Sequence, residues 1–167
     1  LTSNFISFIG SHRLVLDAFA HRVLSGQDII KRREERKVFK VSNPDEISLN
    51  EKETAKLEHA LQKWVDEKNY RKYDKSREEI VDELRTTKEV FHLYFATVKG
   101  VDFKTWRTVL RIEEAKRLLL KDKSASTNFI AEASGFSDRS NFHRQFVKIV
   151  GCSPKQWRES GGVPDAN

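Results

Sequence analysis

The stretch GFSDRSNFHRQFVKIVGCSP, from Gly135 to Pro154, gathers four basic side chains, Arg139, His143, Arg144 and Lys148, against one acid, Asp138. Arginine carries a planar fork that matches O6 and N7 of guanine, so it is suited to reading base edges. Lys148, one turn beyond Arg144, is placed for phosphate, which aligns a protein on a duplex without reading its sequence. At the start of the run, backbone N–H groups near Ser137 and Asp138 suit a phosphate, although the Asp138 carboxylate competes with that anion. Phe142, Phe146 and Ile149 recur at helical spacing. The stretch therefore reads as a helix with those three inward and Arg139, Ser140, His143, Arg144 and Lys148 outward. A merely solvated basic face is the plainer alternative.

Other chemistry finds little support. The five histidines stand apart, at 12, 21, 59, 92 and 143. The sequence has no H-E-x-x-H, C-x-x-C, glycine-rich phosphate loop or G-x-S-x-G. No enzymatic activity, metal or cofactor is expected. His12 and His21 lie in SHRLVLDAFAHRVL, which suits a phosphoacceptor helix of a signalling fragment or, more simply, a dimerisation or juxtamembrane helix. Cys152 is the single cysteine. It excludes an intramolecular disulfide and a cysteine metal cluster, fits a reducing, cytoplasmic setting, and reads as a small residue at a helix entry.

The 167 residues suffice for one ordinary domain or two small ones. With 34% charged and 38% hydrophobic residues, 7 glycines and 3 prolines, the composition is soluble and helix-rich. No apolar run approaches the roughly 20 residues of a membrane span, and no signal-peptide pattern opens the chain. A first residue of leucine and the absence of methionine fit a piece of a longer protein. The net charge of +6 attracts polyanions. It is unevenly spread: residues 51–100 hold 11 basic and 11 acidic side chains, residues 101–167 hold 12 and 8.

These side chains need elements to position them, and the periodicity is helical throughout. Phe5, Phe8, Ile9, Val15, Leu16, Phe19 and Val23 predict a helix over 4–24. Asn43-Pro44-Asp45 marks a turn and a boundary, giving a helical N-terminal extension over 1–49 and a second domain over 50–161. Leu57, Leu61, Trp64 and Val65 predict a helix of about 20 residues ending at Asn69, followed by a polar connector, NYRKYDKS. Ser76 caps a short helix with Ile80, Val81 and Leu84 inward. After a turn at Arg85-Thr86, Thr87 caps a helix with Val90, Phe91, Tyr94, Phe95 and Val98 inward, ended by Gly100. Asp102 caps a long helix over 103–121. Ser124 or Ser126 starts another with Phe129, Ile130 and Ala133 apolar, ended by Gly135. The opening stretch follows, capped by Ser137 or Asp138, and Ser153-Pro154 begin a last turn. The fold class is all-α.

The same layout is met twice. FATVKGVDFKTW, from Phe95, and FVKIVGCSPKQW, from Phe146, both read F-x-x-x-x-G-x-x-x-x-x-W, through Gly100 and Trp106 and through Gly151 and Trp157. This is an internal repeat. Each copy ends a short helix, a turn and a second helix, the layout of a helix-turn-helix. The first spans about 50–100 and the second 124–160. The helix between them is about 28 Å long at 1.5 Å per residue, close to the roughly 34 Å that separates recognition helices on one face of B-DNA.

RIEEAKRLLL and IAEASGFSDRSNFHRQFVKIVGCSPKQWR resemble the DNA-binding domain of the AraC/XylS family of bacterial transcription regulators. Arg111-Ile112, Ala115, Leu118-Leu119, Ile130-Ala131, Gly135-Phe136, Phe142, Phe146-Lys148, Gly151, Ser153-Pro154 and Arg158 carry the likeness, over roughly 50–160. It implies seven helices, two helix-turn-helix units joined by a linker helix, and a cytoplasmic transcription regulator. Its partners would be double-stranded promoter or operator DNA and RNA polymerase. It places Arg139, Ser140, His143 and Arg144 at base edges. In the first unit the equivalent outward positions are Lys88, Glu89, His92, Leu93 and Ala96. Family members often carry a basic residue where Leu93 stands, and Glu89 repels phosphate, so the first unit is expected to read weakly, by shape or through a thymine methyl against Leu93. Lys116 and Arg117 on the linker helix suit phosphate or a pairing with Glu113 or Glu114; Arg111 reads as structural.

The apolar seam of residues 4–24 suits a homodimer or docking on the DNA-binding part. KRREERK (31–37) suits a solvated linker, or the cytoplasmic flank of a membrane tether upstream of residue 1. The competing function is a helical protein-interaction or dimerisation module that does not bind DNA.

Overall fold

The computed structural model describes residues 49–163. The helix expected over 4–24, the charged run at 31–37 and the turn at Asn43-Pro44 lie outside the described residues. Among the described residues every regular element is helical, and no helix is long and apolar enough to cross a membrane.

Among the described residues seven α-helices follow in order: α1 (Glu51–Asp66), α2 (Arg77–Glu83), α3 (Lys88–Tyr94), α4 (Phe103–Lys121), α5 (Thr127–Ser134), α6 (Arg139–Val150) and α7 (Pro154–Glu159). Each starts on a side chain that accepts from an otherwise orphaned backbone N–H. Those caps are Asn50, Ser76, Thr87, Asp102, Ser126, Asp138 and Ser153. Ser126, not Ser124, caps α5, and Asp138, not Ser137, caps α6. Ser76 with Glu79, and Ser153 with Gln156, form reciprocal capping boxes.

α4 is a wall of two cores. Near its start, Phe103 meets Phe91 edge-on at 5.0 Å, and Trp106 meets Phe95 at 5.4 Å and Trp64 at 6.2 Å. Further along, Ile112, Ala115 and Leu119 join Ile130, Phe136, Phe142, Phe146 and Trp157 in the second core. The repeat is thereby explained. Phe95 with Trp106, and Phe146 with Trp157 (6.5 Å), are edge-to-face pairs. Between each phenylalanine and its tryptophan the chain reverses at a left-handed glycine, Gly100 or Gly151. Trp106 and Trp157 are buried, as core residues should be.

Four details differ from the periodic reading. α1 stops at Asp66, short of Asn69, because Lys68 turns left-handed at φ 56° and the chain tightens into a 3₁₀ turn over Asn69–Arg71. The connector that follows is not wholly polar: Tyr70 is buried, and burial raises its hydroxyl pKa to about 12. Val98 points outward, since Phe95–Lys99 widen into a π-helical turn that shifts the 3.6-residue register. Phe129 is also outward, 57% exposed, although it directly precedes the buried Ile130 on α5.

Candidate nucleic-acid interface

The candidate face on α6 is fixed from behind. Asp138 accepts from the Asn141 N–H at 2.7 Å, which sets the helix start. Phe142 and Phe146 are fully buried and stack edge-on with each other at 5.6 Å, while Phe136 meets Phe142 at 5.3 Å. With that side locked, Arg139, Ser140, His143, Arg144 and Lys148 are all exposed. Arg144 donates from Nη2 to Asn141 Oδ1 at 3.1 Å, which steadies the guanidinium without neutralising it. Among the described residues no carboxylate forms an ion pair with Arg139, Arg144 or Lys148.

The corresponding face on α3 is built alike and charged differently. Thr87 accepts from the Val90 N–H at 3.2 Å, and Phe91 and Tyr94 are fully buried beneath it. Lys88, Glu89 and His92 are exposed and Leu93 is half-buried. Lys88 Nζ lies 3.9 Å from Glu78 on α2, whose exposed side also carries Glu79, Asp82 and Glu83. Positive charge is therefore concentrated on the second unit.

The linker-helix cations are engaged within the protein. Lys116 binds Glu113 at 2.9 Å, and Arg117 grips the buried Glu114 through Nε and Nη2, at 3.0 and 2.9 Å. Glu114 also takes Lys68 at 3.0 Å and Arg71 at 3.6 Å. These hydrogen bonds, led by that from Arg117, overcome desolvation and hold its carboxyl near pKa 2. Arg111 donates to the Tyr70 carbonyl at 2.6 Å, and its guanidinium lies 5.9 Å from the Phe136 ring centre. Burial, then the neighbouring Arg107 charge, lowers its pKa to about 10, so it remains a cation at neutral pH.

The role of one pair of residues escaped the sequence reading, in which Arg158 served only as a mark of the resemblance. The arginine after each repeat tryptophan clamps the start of its own helix-turn-helix. Arg158 Nη2 donates to the Ala125 carbonyl at 2.8 Å, and Arg107 Nη1 to the Lys75 carbonyl at 3.5 Å. Ala125 and Lys75 each precede the serine that caps the first helix of a unit. The signal was present: both copies of the repeat end in Trp-Arg.

A family model described as a helix-turn-helix domain matches residues 80–160, from the middle of α2 to the end of α7. Residues 80–160 thus match an AraC-type helix-turn-helix domain. The virulence regulon transcriptional activator VirF of Yersinia enterocolitica and the thermoregulatory protein LcrF of Yersinia pestis are each 36% identical to this chain over 104 residues. That alignment covers 60% of this chain and 36% of each relative, so the likeness extends over about a third of their length. The HTH-type regulator YobQ of Bacillus subtilis is 33% identical over 67 residues, 40% of this chain and 27% of its own. The C-terminal domain of AraT, a response regulator from Geobacillus stearothermophilus, shares the fold. Its TM-score is 0.55 at 24% identity, covering 67% of this chain and 90% of that one.

Proposed function

We propose that this chain is an AraC-type, sequence-specific double-stranded DNA-binding transcription regulator whose α3 and α6 enter successive segments of the major groove. The observation that carries the reading is the row Arg139, Ser140, His143 and Arg144, exposed along a helix whose other side is fully buried. Preorganised donors of this kind suit base edges. A well-made arginine fork contributes about 1–3 kcal/mol of discrimination at a guanine. Lys148 is assigned to phosphate. On α3, Lys88, Glu89, His92 and Leu93 form the second reading face, which contributes less because Glu89 and the acids of α2 repel the backbone. The likeness to VirF, a transcriptional activator, and to LcrF, a thermoregulatory protein, supports the same class. RNA polymerase is the expected protein partner and the cytoplasm the expected location. The apolar seam of residues 4–24 suits a homodimer or docking on the DNA-binding part, and no enzymatic step is assigned.

Selection of bound DNA from a random double-stranded pool tests this. Enriched sites should be bipartite, with their halves about 10–10.5 base pairs apart, and affinity should fall steeply between about 50 and 200 mM salt. Failure to enrich any sequence would remove the regulator reading and favour a protein-interaction module.

A further inference from the structure

α4 alone does not determine how the two units face each other. Each unit packs on its own stretch of that helix, and side-chain packing at two ends of a rod leaves each free to rock about its attachment. A third body fills the space between them. Residues 67–75, which join α1 to α2, lie against α4 and reach the turn of the second unit.

The contacts run in both directions. Arg107 and Arg111 donate through Nε to the Tyr70 carbonyl at 3.1 and 2.6 Å, and Arg107 also reaches the Lys72 carbonyl. Lys68 and Arg71 are drawn onto Glu114 of the same helix. On the far side is Gly135, the turn of the second unit. A Cβ there would stand 2.6 Å from both Cα and O of Arg71, so the two backbones touch. Arg111 bridges the junction: its Nε holds Tyr70, while its guanidinium lies over Phe136, beside Gly135. Arg111 Nη2 is buried with no hydrogen-bond partner among the described residues. Burying a guanidinium that incompletely is unfavourable, which suits a side chain retained because both units need it.

We propose that residues 67–75 are a wedge fixing the separation of the two reading helices, with Arg111 as the positioning residue that holds it in place. The inference rests on the two-headed reading above for its consequence, namely that the protein tolerates one spacing between half-sites.

Two measurements test it. Spin labels on Asp82→Cys and Lys155→Cys, in a Cys152→Ser background, report the distance between the units in the free protein. The native wedge should give one narrow distribution, and Arg111→Met one about twofold wider. Lys116→Met, a cation removed from the same helix, should leave it narrow. Arg111→Lys keeps a donor for Tyr70 and loses the guanidinium over Phe136; it guards against a methionine variant that fails to fold, and should be intermediate. Equal widths in all four proteins, or equal broadening by Lys116→Met, would overturn the wedge. In the second measurement the selected DNA site is lengthened by one base pair. The native protein should lose about tenfold in affinity and Arg111→Met only about twofold; an undiminished loss in the variant counts against the wedge. If the native protein selects no DNA, the proposed function fails while the distance measurement still decides this inference.

Discussion

Arg158 donates to the carbonyl of Ala125, across the whole second unit, at 2.8 Å. It ties the last helix to the residue that precedes the first, so α5, α6 and α7 form a closed loop of contacts rather than a string. Arg107 does the same for the first unit at Lys75. Arginine suits the role because its stem packs while its fork reaches a carbonyl.

Replacing Arg158 by Leu should therefore lower stability by about 1–3 kcal/mol, the usual effect of removing a charged hydrogen bond. Urea denaturation reads this directly. An unchanged midpoint would mean the clamp is incidental.

Charge placement makes the two proposed reading faces unequal. Arg144→Ala should weaken binding to the selected operator by about 10- to 100-fold, and His92→Ala by less than about threefold. Equal losses in a binding titration would contradict the asymmetry.

The carboxylate of Glu114 gives an acid-sensitive contribution to stability. Its pKa falls from an ordinary 4.5 to about 2 in the folded protein. The stabilisation is therefore complete above pH 4.5 and disappears as pH drops through about 2. Glu114→Gln should cost on the order of 1–2 kcal/mol at neutral pH, and should flatten the decline between those values. Thermal unfolding measured from pH 7 to 2 would show whether the variant and native curves converge in acid.

Two glycines with left-handed backbones should differ in tolerance. Gly151 has open space where a Cβ would go, and Gly151→Ala should cost roughly 1 kcal/mol. Gly135 faces the Arg71 backbone, so Gly135→Ala adds a clash to the same strain and should cost at least about 1–3 kcal/mol more. Comparable losses on denaturation would show that the loop simply moves aside.

Much of this architecture is legible from local pattern. The caps at Ser76, Thr87, Asp102 and Ser153, the left-handed glycines and the paired Phe and Trp positions declare themselves by spacing. What escaped depends on distant chain or altered geometry. Tyr70 sits in a polar run, and its burial comes from a helix more than thirty residues away. Val98 follows the α-helical period, but the π-helical turn rotates it outward. Phe129 is apolar and helical, yet nothing beside it distinguishes an outer from an inner position. On α6 the outward row is legible because one face is so uniformly aromatic. On α3 the alternation is weaker, and the ion pair of Lys88 with Glu78 requires coordinates.

Because α4 lines both cores, the sequence repeat and the folded unit are out of phase. Trp106 and Arg107 complete the first copy, yet they belong to the rod on which the second is assembled. A gene fragment cut before α4 would strip the first half of its closing aromatic and clamp, and one cut after α4 would leave the second without Ile112 and Leu119. The two units make an indivisible module rather than two separable beads, and domain transplants are expected to work only with α4 carried whole.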